Sequence, residues 1–488
     1  MQHAHDHRDG STTLHTPIIP IAAGFAPADR AGWLALVEKT LKGAGVDTLS
    51  TVTADGLVIA PLFTAEIVGD VPAPTREGDI AWDVRAAVDV ADPVEANRQI
   101  LAALRGGTSS VLVSVDPAGA RGVAVGSAAG LARVLDGVLT DLAPVALDAG
   151  FLAGAAAQWL DSVAKASPAA PLALHCDPLS RFAQTGASPG PIAAHVADNA
   201  RIAATMAATY PKASLFLASG TVVHEAGGSA PLELAFAAAA ALTYAKALVA
   251  EGMAVRDAFE RIVLGLSVDQ DPLTSVAKLR AARLIWRRIT SACHAQTPAR
   301  IEARSSRRML TTADRWSNLV RLTSAGFAGA VGGADAVVLG TFTDAAGAAD
   351  DLALRMARNT QLILMEETHL GAVIDPTAGA WSFETLTADL ARAAWDAFVA
   401  IEAAGGLVAA LTAGLIAEQV SASRAALAGS VTDRQRKIVG VTDFKSADVV
   451  DAVAPRAVSS VAGPDPARPG PSDACPALTP VRLEEMAR

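Results

Sequence analysis

Between residues 80 and 340 short apolar runs, several rich in β-branched residues, alternate with longer Ala- and Leu-rich stretches of helical periodicity. The runs fall at 81–85, 110–115, 144–147, 172–175, 214–217, 261–264, 300–304 and 336–339. Strands this short and this apolar, each followed by a helical stretch, belong to a parallel sheet, because every return to the same end of the sheet needs a crossover helix. Eight runs are what a closed barrel requires, and no Gly-x-Gly-x-x-Gly follows the first of them. The pattern therefore predicts an α/β fold, a (β/α)8 barrel over 76–380, in preference to an open doubly wound sheet.

The flanks read differently. Residues 28–42 have helical periodicity with Trp33, Leu34, Leu36, Val37 and Leu41 on one broad face, and 49–74 is punctuated by Asp55-Gly56, Gly69-Asp70, Pro72 and Pro74. Together they predict an N-terminal tail and irregular arm over 1–75. Beyond the last run, 346–370 and 385–404 are amphipathic, the first ending near Gly371 and the second at Gly405-Gly406. They carry the outer helical layer into an extension over 381–458. Residues 459–480 are rich in Pro, Gly, Ser and Ala, so 459–488 is expected to be a flexible or extended tail.

Composition narrows the function classes. With 51% apolar and 18% charged residues the chain can bury a large core, and disorder of the whole is excluded. A net charge of -10 without a long basic cluster gives no electrostatic reason to approach nucleic acid or an anionic membrane. Cys176, Cys293 and Cys475 are few, odd in number and far apart, as in a reduced cytoplasmic protein. The start, Met1 to His7, lacks the basic and apolar regions of a secretion signal. The longest apolar stretch, 234–250, is interrupted by Thr243, Tyr244 and Lys246 and makes a poor membrane span.

No motif nominates a catalytic, cofactor-binding or metal residue. His3, His5, His7 and His15 lie in a tail with no packed groups to fix them as ligands. Gly186-Ala187-Ser188-Pro189-Gly190 matches a nucleophile elbow, but Pro189 lacks the backbone N–H that an oxyanion hole needs. His175-Cys176-Asp177 ends the fourth run, where barrel enzymes place working residues, yet neighbours on a strand face opposite ways, and rim or core packing is expected. His224-Glu225-Ala226-Gly227-Gly228 lacks the second His of a zinc helix. Gly332-Gly333 has no Lys after it and reads as a tight helix-to-strand turn, not a phosphate cradle.

A series of longer strings carries a resemblance. Arg358-Asn359-Thr360-Gln361-Leu362, Val373-Ile374-Asp375-Pro376, Ala393-Ala394-Trp395 and Ile401-Glu402-Ala403-Ala404-Gly405-Gly406 follow one another in order. Earlier come Trp33, Thr53-Ala54-Asp55-Gly56-Leu57, Pro61-Leu62, Ser219-Gly220, Leu232-Glu233-Leu234-Ala235-Phe236 and Lys278-Leu279-Arg280-Ala281-Ala282-Arg283-Leu284-Ile285-Trp286. Over residues 25–445 the chain resembles the adenosylcobalamin-dependent methylmalonyl-CoA mutases. The resemblance implies a TIM barrel whose bore takes the coenzyme A ester, closed by a cobalamin-binding domain. It also implies isomerase chemistry in propionate metabolism.

The departures from that family are as informative as the likeness. None of the nine histidines stands in Asp-x-His-x-x-Gly, the cobalt-ligating motif, so no cobalamin-binding domain is expected on this chain. In Trp82-Asp83-Val84-Arg85-Ala86-Ala87 the family's active-site Tyr is replaced by Ala87, and Tyr210 and Tyr244 fall in predicted helices away from the strand ends. In Ser219-Gly220-Thr221-Val222-Val223-His224 the His that binds the thioester carbonyl is replaced by Val222, and only a two-residue shift would bring in His224. A further family His corresponds to Gly340. Such losses point to the small, non-catalytic subunit of a heterodimer. Its large partner subunit is then expected to hold both adenosylcobalamin and the acyl-CoA substrate. The alternative is a catalytic acyl-CoA mutase chain served by a separate small cobalamin-binding subunit.

Overall fold

The computed structural model describes residues 29–53, 55–64, 81–445 and 452–487. The chain divides into two units, 1–51 and 52–488. In the first, the predicted helix forms as Arg30–Thr40, its N-terminus capped by Asp29, whose carboxylate accepts from the Gly32 N–H at 2.7 Å.

In the second unit all eight apolar runs become strands: β1 Asp83–Val88, β2 Ser110–Ser114, β3 Val145–Asp148, β4 Ala173–Cys176, β5 Ser214–Ser219, β6 Ile262–Val268, β7 Arg300–Ser305 and β8 Ala336–Val338. They form one closed, parallel barrel, with β8 returning to β1 through Ala336 opposite Asp83 and Val338 opposite Arg85. The expectation of a (β/α)8 TIM barrel is met. Helix starts after β1, β4 and β6 share one local device. Asp92, Asp177 and Asp271 each cap a helix whose first residue is proline, which supplies an acceptor for an orphan N–H and a preset φ.

The barrel wall is least regular at β4. It touches β3 through a single pair, Ala146 with Ala173, and its register against β5 shifts between Ala173 and Cys176. The extra residue is absorbed at His175, which takes a left-handed φ of 46°.

Among the described residues one helix, Ala230–Ala250, is long and apolar enough to cross a membrane. Its side chains, Phe236, Tyr244 and Leu248 among them, are buried in the barrel's outer layer, which explains an apolar surface on every side. The C-terminal helices form as Asp351–Leu362, Trp381–Ala403, Leu407–Thr412 and Leu415–Thr432.

Residues 459–488, expected as a flexible or extended tail, are extended and docked where described. From 452 to 487 the chain travels around the carboxyl-terminal rim of the barrel in strand order. Ala454 O accepts from Ala348 N after β8, and Arg456 pairs with Asp89 after β1 at 2.8 Å. Val461 N donates to Pro117 O after β2 and Leu478 N to Ala183 O after β4. Val481 N donates to Glu225 O after β5 and Leu483 N to Arg308 O after β7. Leu478, Val481 and Leu483 are buried. The rim loops offer backbone partners, and the apolar anchors cluster at the end of the Pro-rich stretch and just beyond it.

Candidate functional site

A cavity of about 1000 Å³ opens at the carboxyl-terminal ends of the strands, beneath the belt formed by 452–487. The bore beneath it is crossed by charges. Arg85 on β1 donates to Glu302 at 2.5 Å, to Asp83 at 2.6 Å and to Ser110 Oγ at 2.8 Å. Arg304 on β7 donates to Glu302 at 2.6 Å and to Asp148 on β3 at 3.0 Å. Strands β3 and β7 face each other across an eight-stranded barrel, so this last pair spans the bore. A small apolar cluster of Leu112, Ala146, Ala173 and Val338 with Ala87 fills the interior beside it.

Burial alone would raise the Glu302 carboxyl, but Arg304, His175 and Arg85 outweigh it and hold the group well below the usual range. Burial pulls the His175 imidazole down to about 4, so it is neutral near pH 7.

Ala87, Val222 and Gly340, the three positions singled out as replacements, all line this cavity. A methyl, an isopropyl and a hydrogen face it at the positions where the resemblance implies polar side chains. His224 does not substitute for Val222. It is turned away from the cavity, with Nε2 2.8 Å from Ser306 Oγ and Nδ1 3.6 Å from Glu233. Glu233 in turn accepts from Lys278 Nζ and from the Ser267 N–H, each at 2.5 Å. Burial opposes its charge, yet Lys278 and His224 hold it at about 2.

Ser306, His224 and Glu233 thus follow the order of a hydrolase triad. However, Ser306 is buried, lies off the cavity wall, and its Oγ accepts from the Arg308 N–H at 3.1 Å. The group ties the rim together and has no path to a substrate. Sequence reasoning missed it, because its members come from four separate elements. The local signal is Glu233 within an otherwise apolar helix face, matched by Lys278 on a second buried helix.

At the end of β4 the three neighbours separate. His175 faces the cavity, while Cys176 is buried in the main core, its thiol pushed up to about 12 by burial and by Asp177. Asp177 caps the helix Pro178–Thr185 and accepts from the Tyr244 hydroxyl at 2.6 Å. Tyr244, expected to lie away from the strand ends, therefore reaches one with its hydroxyl, because its helix packs directly on the barrel; its ring remains outside the cavity.

The remaining candidates are structural. Ser188 Oγ donates to Gly190 O at 2.6 Å and its N–H to Asp473 O on the belt. At Gly332-Gly333 the carbonyls accept from the Arg283 guanidinium, so the turn presents acceptors, not an anion cradle. His3, His5, His7 and His15 lie outside the described residues. Among the described residues no three His, Cys, Asp or Glu side chains are grouped to hold a metal ion.

The family model for methylmalonyl-CoA mutase matches residues 73–462. The chain is similar to the "Methylmalonyl-CoA mutase small subunit" of Streptomyces virginiae, 37% identical over 461 residues, covering 89% of this chain and 73% of that protein. It is similar to the "Probable methylmalonyl-CoA mutase small subunit" of Mycobacterium tuberculosis (strain ATCC 25618 / H37Rv), 37% identical with 81% and 66% covered. The "Methylmalonyl-CoA mutase small subunit" of Propionibacterium freudenreichii subsp. shermanii is 32% identical, with 87% and 70% covered. The chain thus spans between about two thirds and three quarters of these relatives' lengths. With barrel, motif series and family model in agreement, the chain belongs to the methylmalonyl-CoA mutase family.

Proposed function

We propose that this chain is the small, non-catalytic subunit of a heterodimeric, adenosylcobalamin-dependent methylmalonyl-CoA mutase, an isomerase whose reaction is carried by the large partner subunit. One observation carries the reading: the cavity wall has Ala87, Val222 and Gly340 where the resemblance requires polar groups, above a bore crossed by Arg304 and Asp148. In a cofactor enzyme the protein contributes orientation and hydrogen-bond donors, and these side chains supply neither. A coenzyme A ester threaded through the bore would have to displace the buried Arg85–Glu302–Arg304 ion pairs and the partly exposed Arg304–Asp148 pair.

The residues at the mouth do not fit a cobalt ligand either. His175 is buried in the cavity wall beside Glu302 and His224 is buried against Glu233, so neither stands free as a cobalt ligand. We therefore place adenosylcobalamin and the acyl-CoA on the partner chain, in the cytoplasm. The domain reading stays as 1–75 arm, 76–380 barrel, 381–458 helical extension and 459–488 tail. An interface of at least about 2,000 Å² is expected of such an obligate pair.

Affinity purification of the full chain from its native cells tests this. A co-purifying mutase chain carrying Asp-x-His-x-x-Gly, and turnover of methylmalonyl-CoA only when that chain is present, are the expected results. Turnover by this chain alone with adenosylcobalamin would overturn the reading, and recovery of a lone cobalamin-binding subunit would favour a split mutase.

A further inference from the structure

Buried polar atoms without a protein partner are rare in folded chains, and where they gather they mark a place for something polar. In this structure several gather on one wall. Among the described residues, His175 Nδ1 and Nε2, Ser267 Oγ and one Arg304 Nη have no hydrogen-bond partner. All three residues line the cavity at the barrel mouth. His175 and Ser267 are almost fully buried, at 3% and 1% exposure. The nearest carboxylate to His175 Nε2, that of Glu302, stands at 3.7 Å, beyond hydrogen-bond length.

The three side chains converge because of the barrel's own register. Ser267 on β6 is the direct strand neighbour of Arg304 on β7. Glu302 lies two residues before Arg304, accepts from its Nε, and is the group that His175 approaches from β4. His175 is held there by a left-handed backbone, a conformation that costs about 1–3 kcal/mol in a non-glycine residue and persists where the surroundings impose it.

We infer that His175, Ser267 and Arg304 form a binding site for a small free organic acid, reached from the barrel mouth and not through the bore. The donors available are one imidazole N–H, one hydroxyl and one guanidinium N–H. All three match carboxylate oxygens; Arg304 already shares its charge with Glu302 and Asp148, and its remaining Nη is the donor left for the ligand. Arginines outnumber carboxylates on the cavity wall as a whole, in a chain of net charge -10, which favours an anion within the cavity. A neutral His175, with its imidazole pulled down to about 4 by burial, donates at one nitrogen and keeps the other as an acceptor. The Arg304–Asp148 pair closes the floor, which limits the ligand to what fits above it and excludes an acyl chain threaded from below.

The site belongs to this chain and does not depend on the partner proposed above. Isothermal titration of the purified full chain with glutarate and with acetate, using sodium chloride as the ionic-strength control, tests it directly. Saturable one-to-one binding of at least one acid is expected. Ser267→Ala and His175→Ala should each weaken it about tenfold, as for a lost hydrogen bond to a charged group. Ser267→Ala removes only a hydroxyl and keeps the test valid if His175→Ala fails to fold. No heat from either acid, equal affinity in folded variants, or displacement by chloride alone would each overturn the proposal. So would tight binding of free coenzyme A that competes with the acid, since that requires an open bore.

Discussion

Asp177 and His175, two residues apart at the end of β4, are pushed by the same burial in directions with opposite consequences. Burial raises Asp177 to about 7 despite the hydrogen bonds it accepts from Tyr244 and Ser180. Folding therefore binds a proton between pH 4 and 7, and this contribution to stability declines as pH rises through that window. His175 is lowered to about 4, so folding releases a proton between pH 4 and 6.5, and its contribution is lost as pH falls. Urea unfolding across pH 4–7 should show Asp177→Asn gaining stability with pH more steeply than the wild type and His175→Gln less steeply. Each tilt should be on the order of 3–4 kcal/mol across the window. Tilts of the same sign in both variants would contradict the assignment. A second residue-level test concerns Glu233, buried and charged against Lys278. Lys278→Met strands that carboxylate and should cost about 3–5 kcal/mol by denaturation, while Lys278→Met with Glu233→Gln should recover most of the loss.

Among the elements, the belt over 452–487 makes the most specific claim. It passes so close to the loop after β2 that a Cβ built on Gly126 would overlap the carbonyl oxygen of Ala462. Gly126→Ala should therefore lift the belt. Hydrogen exchange is expected to speed up at the Val461 amide, which donates to Pro117, and limited proteolysis to begin within 459–475. Gly429→Ala, on a helix where a Cβ meets nothing, is the control and should leave both unchanged. Unchanged exchange in Gly126→Ala would mean that the belt is not held where described. Its docking could not be read from sequence, because its own composition is that of a tail and its partners are backbone groups of loops up to a few hundred residues away. The strands were legible for the opposite reason. A strand buried on both faces writes its identity locally as a short apolar run, as at 110–115, and the helices between them set the count. The bulge that turns His175 toward the cavity left no such mark, since it arises from how β4 meets β3 and β5.

At the scale of the molecule, family likeness and lost chemistry meet in the bore. Ala87 and Val222 were legible as departures because motif strings fix their register, and both line the cavity. Arg304, Glu302 and Asp148 were not legible, since a charged residue in a strand does not announce which strand it will face. Their arrangement decides what a reversal would need. Ala87→Tyr with Val222→His puts polar side chains back on the wall but leaves Arg304 and Asp148 joined across the barrel. That double variant should bind an acyl-CoA no better than the wild type, which should bind it negligibly. Adding Arg304→Ala with Asp148→Ala removes one cation and one anion together, leaves Glu302 its contact with Arg85, and opens the floor. Titration with a non-hydrolysable acyl-CoA should then show measurable binding in the quadruple variant alone. Binding of the thioester by the unaltered chain would show that the ion pair is no barrier, and with it would fall the main physical reason for assigning the chemistry to the partner.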